Sequence, residues 1–115
     1  MPSFLRGDVL LTLFPFTDLT GARLRPCLVV SPGLIGQDLI VAGISSVVRG
    51  GIIATDVLLE TSYPEFRQTG LRVQSVIRLH KLAAIEQSVI GRRLGQIGPQ
   101  LQAKVDQALK IALGL

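Results

Sequence analysis

The chain has 115 residues, a length that supports one hydrophobic core, so we expect a single domain over residues 1–115. Hydrophobic residues make up 48% of it, but uncharged stretches such as Pro26 to Gln37 are too short and too interrupted by proline and glycine to span a membrane. Twelve basic and eight acidic residues give a net charge of +4. Most of the basic residues are arginine, which suits either the binding of an anionic partner or exposure to solvent.

Strand-like runs separated by turns predict the first half of the fold. The first run, residues 9–14, ends at Pro15, which cannot donate to a β-ladder. The polar, glycine-containing segment from Thr17 to Ala22 indicates an exposed loop. Three more strands are predicted at residues 24–31, 38–46 and 52–60.

Short strands and one helix are predicted for the second half. A polar loop over residues 61–70 precedes two short strands at 75–79 and 82–85, a helical turn near 87–91 and a last strand at 92–97. Gly98 and Pro99 begin an amphipathic helix. Short strands without βαβ alternation predict a mainly β fold of the α+β kind, a small antiparallel barrel of about five to seven strands with a C-terminal helix.

The second and third strands are joined by a short connection and should form an antiparallel hairpin. The ends of the two runs place Arg25 opposite either Ile44 or Ser45, and with Ser45 the two side chains share a face. Pro26 keeps the backbone of Arg25 extended. Such a pair suits a phosphate clamp, in which the arginine supplies charge and the serine a hydrogen bond.

A purely structural role for these residues is the alternative. Arg25 would then pair with Asp8 or Asp18 at the rim of the sheet. Ser45 and Ser46 would only end a strand.

Cysteine and histidine are too few for a metal site. The chain has one of each, Cys27 and His80, so a Cys/His metal centre is excluded and no cofactor is expected. Cys27 lies in an apolar run and is expected to be a buried core thiol.

Five segments spread over the chain form an ordered set, namely Arg6–Val9, Leu24–Ser31, Ile40–Ser46, Ser75–Leu82 and Val105–Leu113. In this order they resemble the MazF/PemK family of type II toxin–antitoxin endoribonucleases. The resemblance implies an SH3-like barrel that forms a homodimer and cuts single-stranded RNA without a metal. It also implies an antitoxin peptide that lies over the RNA groove and holds the toxin inactive. The basic chain favours an acidic antitoxin.

Catalytic roles follow from the same resemblance. The family's arginine before a proline corresponds to Arg25, and Ser45 stands where the family has a threonine, keeping the hydroxyl but not the methyl group. Several family members carry a glutamate a few residues before the arginine, where this chain has Leu19-Thr20-Gly21. The nearest carboxylate is Asp18, which is therefore the candidate proton acceptor, although it also suits a solvated turn.

Further side chains are candidates to contact RNA. His80 is the only conventional acid–base side chain, although a lone histidine more commonly has a structural role. Phe16 and Phe66 are candidates to stack on bases. The candidate substrate-binding residues are Arg23, Ser46, Arg49, Arg78, His80 and Lys81.

We therefore expect the toxin component of a type II system, a metal-independent endoribonuclease. No secretory signal is visible at the N-terminus, which favours the cytoplasm. One alternative is a binding toxin of the CcdB kind, which would use the same fold to act on gyrase without catalysis. The other is a family member that has lost catalysis but still binds its antitoxin.

Overall fold

A computed structural model describes residues 3–13, 24–48 and 51–115. Within these ranges, short 3-10 turns occur at Arg67–Thr69 and Gln87–Val89. The predicted mainly β fold with a C-terminal helix is confirmed. Within the described residues the strands and the helix are β1 (Asp8–Thr12), β2 (Arg25–Val29), β3 (Asp38–Ser45), β4 (Asp56–Leu59), β5 (Ser75–Glu86), β6 (Ile90–Gln96) and α1 (Pro99–Leu113).

The strands form one antiparallel sheet in the order β4-β5-β3-β2-β1-β6, so β4 and β6 are its edges within the described part of the chain. The connection from β4 to β5 lies against β6. A side chain at Gly95 would overlap the backbone carbonyl of Gln68, so glycine permits this close approach. The connection thereby links the two edges of the sheet and gives the fold its barrel-like shape.

The prediction of two short strands at 75–79 and 82–85 is wrong, because the structure has the single strand β5 there. Its pairing with β3 is irregular: Ala42 pairs with Leu82, whereas the next residue, Gly43, pairs with Arg78. Residues 79–81 therefore form a bulge. It accommodates the polar residues His80 and Lys81, which interrupt the apolar pattern of the strand.

The predicted fourth strand is shorter in the structure because a turn precedes it. Asp56, the first residue of β4, accepts a hydrogen bond from the amide of Ile53 on its carboxylate at 3.1 Å. Its own amide donates to the Ile53 carbonyl. Asp8, the first residue of β1, makes the same two contacts with Leu5. Each aspartate therefore fixes the entry of the chain into its strand.

Apolar side chains on the two faces of the sheet form two clusters. The larger cluster includes Leu101, Val105 and Ala108 of α1, the buried face that the helical spacing predicted. The smaller cluster includes Cys27. None of the helices in the described ranges is long and apolar enough to cross a membrane.

A side chain from the β4–β5 connection caps the start of α1. The carboxylate of Glu65 accepts hydrogen bonds from the backbone amides of Gln100, at 3.0 Å, and Leu101, at 2.8 Å. These amides have no acceptor within the helix, and the negative charge also suits the helix N-terminus. Glu65 therefore ties the helix to the connection that crosses β6.

Candidate active site

The hairpin of β2 and β3 sets the relative position of Arg25 and Ser45. Cys27 pairs with Gly43, and the same register extended by two residues brings Arg25 opposite Ser45. This is the second of the two registers that the sequence allowed. Arg25 starts β2 and Ser45 ends β3, so both side chains lie on one face at one end of the hairpin.

A cavity of about 240 Å³ opens at this end of the hairpin. It is lined by Arg25, Pro26, Ile44, Ser45, Ser46, Val47, Leu71, Arg72, Val73 and Ser75. Among these described lining residues, the two arginines are the only charged ones, so the cavity favours an anion. Sequence reasoning missed Arg72, whose signal was its position between the predicted polar loop and the next strand.

Arg25 is half-buried, and its Nε atom is buried without a hydrogen-bond acceptor among the described residues. The alternative in which Arg25 pairs with Asp8 is wrong. Asp8 lies with its Oδ1 atom 3.0 Å from Nη2 of Arg93, and its Oδ2 atom accepts from Leu5. Arg25 therefore has no carboxylate partner among the described residues, and its charge is available to an anionic ligand in the cavity.

Ser45 has a hydroxyl group that is only partly engaged. Its Oγ atom accepts a hydrogen bond from the amide of Val47 at 3.1 Å, and it lies 3.4 Å from the carbonyl oxygen of the same residue. The longer contact is weak, so the hydroxyl hydrogen is available to a better acceptor. The tight turn after β3 therefore orients Ser45 while leaving it able to donate to a ligand.

Arg78 and Asp56 form a salt bridge beside the cavity. Nη1 of Arg78 lies 3.0 Å from Oδ2 of Asp56, and Nη2 donates to the carbonyl of Val47 at 3.0 Å. The side chains are 16% and 0% exposed, respectively. Arg78 therefore contacts a residue of the cavity lining, Val47, through a hydrogen bond to its carbonyl. Each of its two terminal nitrogens donates to a protein acceptor.

His80 belongs to this neighbouring cluster. Its Nδ1 atom lies 3.2 Å from the hydroxyl of Thr55 and 3.9 Å from Oδ1 of Asp56. It is not among the described residues that line the cavity with Arg25. Lys81 is exposed in the bulge of β5. Neither His80 nor Lys81 is among the described residues that line the cavity with Ser45.

The remaining predictions concern residues outside the described ranges, base stacking, the cysteine thiol and metal binding. Asp18, Arg23, Arg49 and Phe16 lie outside the described residues. Stacking on Phe66 is a wrong prediction, because this side chain is buried in the larger apolar cluster. The predicted core thiol is confirmed: Cys27 is fully buried, and burial raises the pKa of its thiol to about 12. In the described part of the chain, no group of three or more His, Cys, Asp or Glu side chains could hold a metal ion.

Solved structures share this fold over almost the whole chain. A mycobacterial endoribonuclease in complex with its cognate antitoxin is 25% identical, with a TM-score of 0.74 over 97% of this chain and 96% of that one. The Mycobacterium tuberculosis toxin MazF-mt6 is 23% identical, with a TM-score of 0.70 over 96% and 98%. MazF from Deinococcus radiodurans is 19% identical, with a TM-score of 0.73 over all of both chains.

Sequence comparison identifies the family. No curated protein sequence matches the chain significantly. The profile of the PemK-like, MazF-like toxins of type II toxin–antitoxin systems matches residues 5–113. This match favours the main interpretation of the sequence over a gyrase-binding toxin of the CcdB kind. The chain therefore belongs to the PemK-like, MazF-like toxins of type II toxin–antitoxin systems.

Proposed function

We propose that this toxin is an endoribonuclease that cuts single-stranded RNA at a phosphodiester bound between Arg25 and Ser45. One observation carries the proposal: the hairpin register brings a half-buried arginine and a serine hydroxyl into one cationic cavity. The guanidinium of Arg25 lines the cavity beside the Ser45 hydroxyl, and a phosphate oxygen there would accept hydrogen bonds from both.

Cleavage proceeds by attack of the ribose 2′-hydroxyl on the adjacent phosphorus. The 2′-hydroxyl loses its proton as the O2′–P bond forms, and O5′ takes a proton from water as the P–O5′ bond breaks, which leaves a 2′,3′-cyclic phosphate and a 5′-hydroxyl. Arg25 stabilises the negative charge that develops on the phosphoryl oxygens, and Ser45 donates a hydrogen bond to one of them. Asp18 remains the proposed acceptor of the 2′-hydroxyl proton, because an arginine is too weak an acid to act as an ordinary base.

The same cavity suggests how RNA and the antitoxin bind. Arg72 lines it beside Arg25 and is exposed, so it can contact a neighbouring phosphate. An acidic antitoxin segment would use the same cations, as expected for a relative of an endoribonuclease solved with its cognate antitoxin.

Exposed apolar side chains such as Ile111 and Leu113 favour a homodimer. We place the toxin in the cytoplasm with its substrate.

Cleavage of a long, unstructured RNA in the presence of EDTA tests the proposal. Arg25→Ala should reduce the cleavage rate by about 10²–10³-fold, because it removes one charge-stabilising group from the transition state. Arg92→Ala, which removes an exposed arginine on β6, is the matched control and should cleave normally. Ser45→Ala should also lose activity, whereas Ser45→Thr should keep it.

The same variants reveal failure. Undiminished cleavage by folded Arg25→Ala would refute the assignment of this arginine. A wild-type protein that binds its antitoxin but leaves RNA intact would instead identify a family member without catalysis.

A further inference from the structure

A continuous set of hydrogen bonds connects a buried carboxylate to the Ser45 hydroxyl. Asp56 accepts from Arg78 at 3.0 Å, and Arg78 donates to the Val47 carbonyl at 3.0 Å. The amide of Val47 donates to Oγ of Ser45 at 3.1 Å. The Val47 residue is thus held through its carbonyl by Arg78 and through its amide by Ser45.

The strand pairing fixes the two charged residues in place. Asp56 of β4 stands directly opposite Arg78 of β5, and Arg78 is the last residue of β5 in register with β3 before the bulge. Oδ2 of Asp56 also accepts from the Ile53 amide. Both side chains are therefore anchored by backbone that has little freedom to move.

A salt bridge this deeply buried is a poor source of stability. Taking the charges of Asp56 and Arg78 out of water offsets much of their attraction, and apolar replacements are often as stable. A carboxylate and a guanidinium do, however, fix the direction of the hydrogen bonds between them and their neighbours. The Arg78 fork can bond a carboxylate with one nitrogen and a carbonyl with the other, which a lysine cannot do.

We infer that Asp56 and Arg78 are positioning residues that hold the turn after β3 and so keep the Ser45 hydroxyl aimed into the cavity. This inference rests on the proposed function. It gives Arg78 a role besides the predicted contact with RNA phosphates, because Nη1 and Nη2 each donate one hydrogen bond to the protein.

Kinetics separates this role from its alternatives. Asp56→Asn and Arg78→Lys should each lower kcat by about tenfold to a hundredfold with little change in KM, as expected when a reacting group is misplaced by a fraction of a bond length. If Asp56 acted only through its charge, Asp56→Asn would tighten RNA binding. If Arg78 contacted phosphate, Arg78→Met would weaken the binding of 2′-O-methyl RNA. The dependence of this binding on salt concentration would also become shallower, by the amount expected for about one lost phosphate contact.

The chain contains a matched control. Asp8 and Arg93 form a second salt bridge with the same separation of 3.0 Å, and Asp8 makes the same contacts with the third residue before it as Asp56 does. Arg93 is 47% exposed, against 16% for Arg78, so Asp8→Asn is the closer match: it removes the charge of a buried carboxylate at the start of a strand and should leave kcat unchanged. The double variant with Asp56→Asn and Arg78→Met avoids a lone buried charge if a single variant fails to fold.

Amide NMR spectra of the full chain provide a test that needs no activity. Asp56→Asn and Arg78→Lys should shift the amide resonances of Val47 and Val48 and speed hydrogen exchange at Val47, and the Asp8→Asn control should not. Unchanged resonances there would overturn the inference even if cleavage fell. Perturbed resonances with normal kcat in these variants would also overturn it, whereas inactivity of the wild-type protein would count against the proposed function alone.

Discussion

Replacement of Glu65 by alanine is expected to destabilise the fold by about 2 kcal/mol. Its carboxylate receives two backbone amides of α1, at 3.0 and 2.8 Å. Loss of a side-chain cap typically costs about 1 kcal/mol, and loss of the negative charge near the helix N-terminus about 0.3–1 kcal/mol. The bond to Leu101 is partly buried, so water replaces it less well than the exposed bond to Gln100.

Urea unfolding at fixed protein concentration measures this loss, provided that the slope m is the same for both proteins. In a chain of this length, about 2 kcal/mol corresponds to a fall in Tm of about 8 °C. Glu65→Gln keeps an oxygen acceptor but no charge, and should cost about half as much. Glu60→Ala removes an exposed carboxylate from the same connection and is the matched control.

A loss below about 0.5 kcal/mol for Glu65→Ala, or one equal to that of Glu60→Ala, would refute the capping argument. It would mean that water or the first turn of α1 satisfies the two amides equally well. In that case the connection across β6 would depend on the close contact of its backbone with Gly95 instead.

Two further predictions concern backbone contact and pH. Gly95→Ala should lower the free energy of unfolding, measured in urea, by about 1–3 kcal/mol, because the methyl group would overlap the Gln68 carbonyl. A loss no greater than that of Gly91→Ala would contradict this, since the methyl group at Gly91 meets chiefly the flexible Leu24 side chain. The raised pKa of Cys27 means that the native state keeps its thiol proton to higher pH than the unfolded chain does. The free energy of unfolding should therefore fall as pH rises from about 9 to about 12, by up to about 1.4 kcal/mol per pH unit, when it is compared with that of Cys27→Ala. Parallel pH profiles for the two proteins would show that this thiol does not contribute.

Local signals in the sequence predicted the Arg25–Ser45 pair because a hairpin is a local structure. The short connection brings two neighbouring runs together and leaves only one residue of doubt in the register. The choice between Ile44 and Ser45 depends on how the turn closes, through a bridge between Ile35 and Asp38. That detail was not visible in the residue types.

The partners of the buried charges could not be assigned in the same way. Asp56 and Arg78 are 22 positions apart and meet only because β4 pairs with β5. A charged residue in an apolar strand is still a signal, since a buried carboxylate requires a partner. Glu65 gave no such signal, because an acidic residue in a polar loop is ordinary until the helix it caps is placed in space.

The bulge in β5 reverses the side to which its residues point. Ile77 and Leu79, before and at the bulge, belong to the larger apolar cluster, whereas Ile85, also odd-numbered, belongs to the smaller one. One strand thus serves both clusters because an odd number of residues, 79–81, steps out of register with β3. Adding or removing one residue there would turn every later side chain of β5 to the wrong face, whereas a change of two would preserve the alternation. Evolution can therefore vary the length of this segment only in even steps.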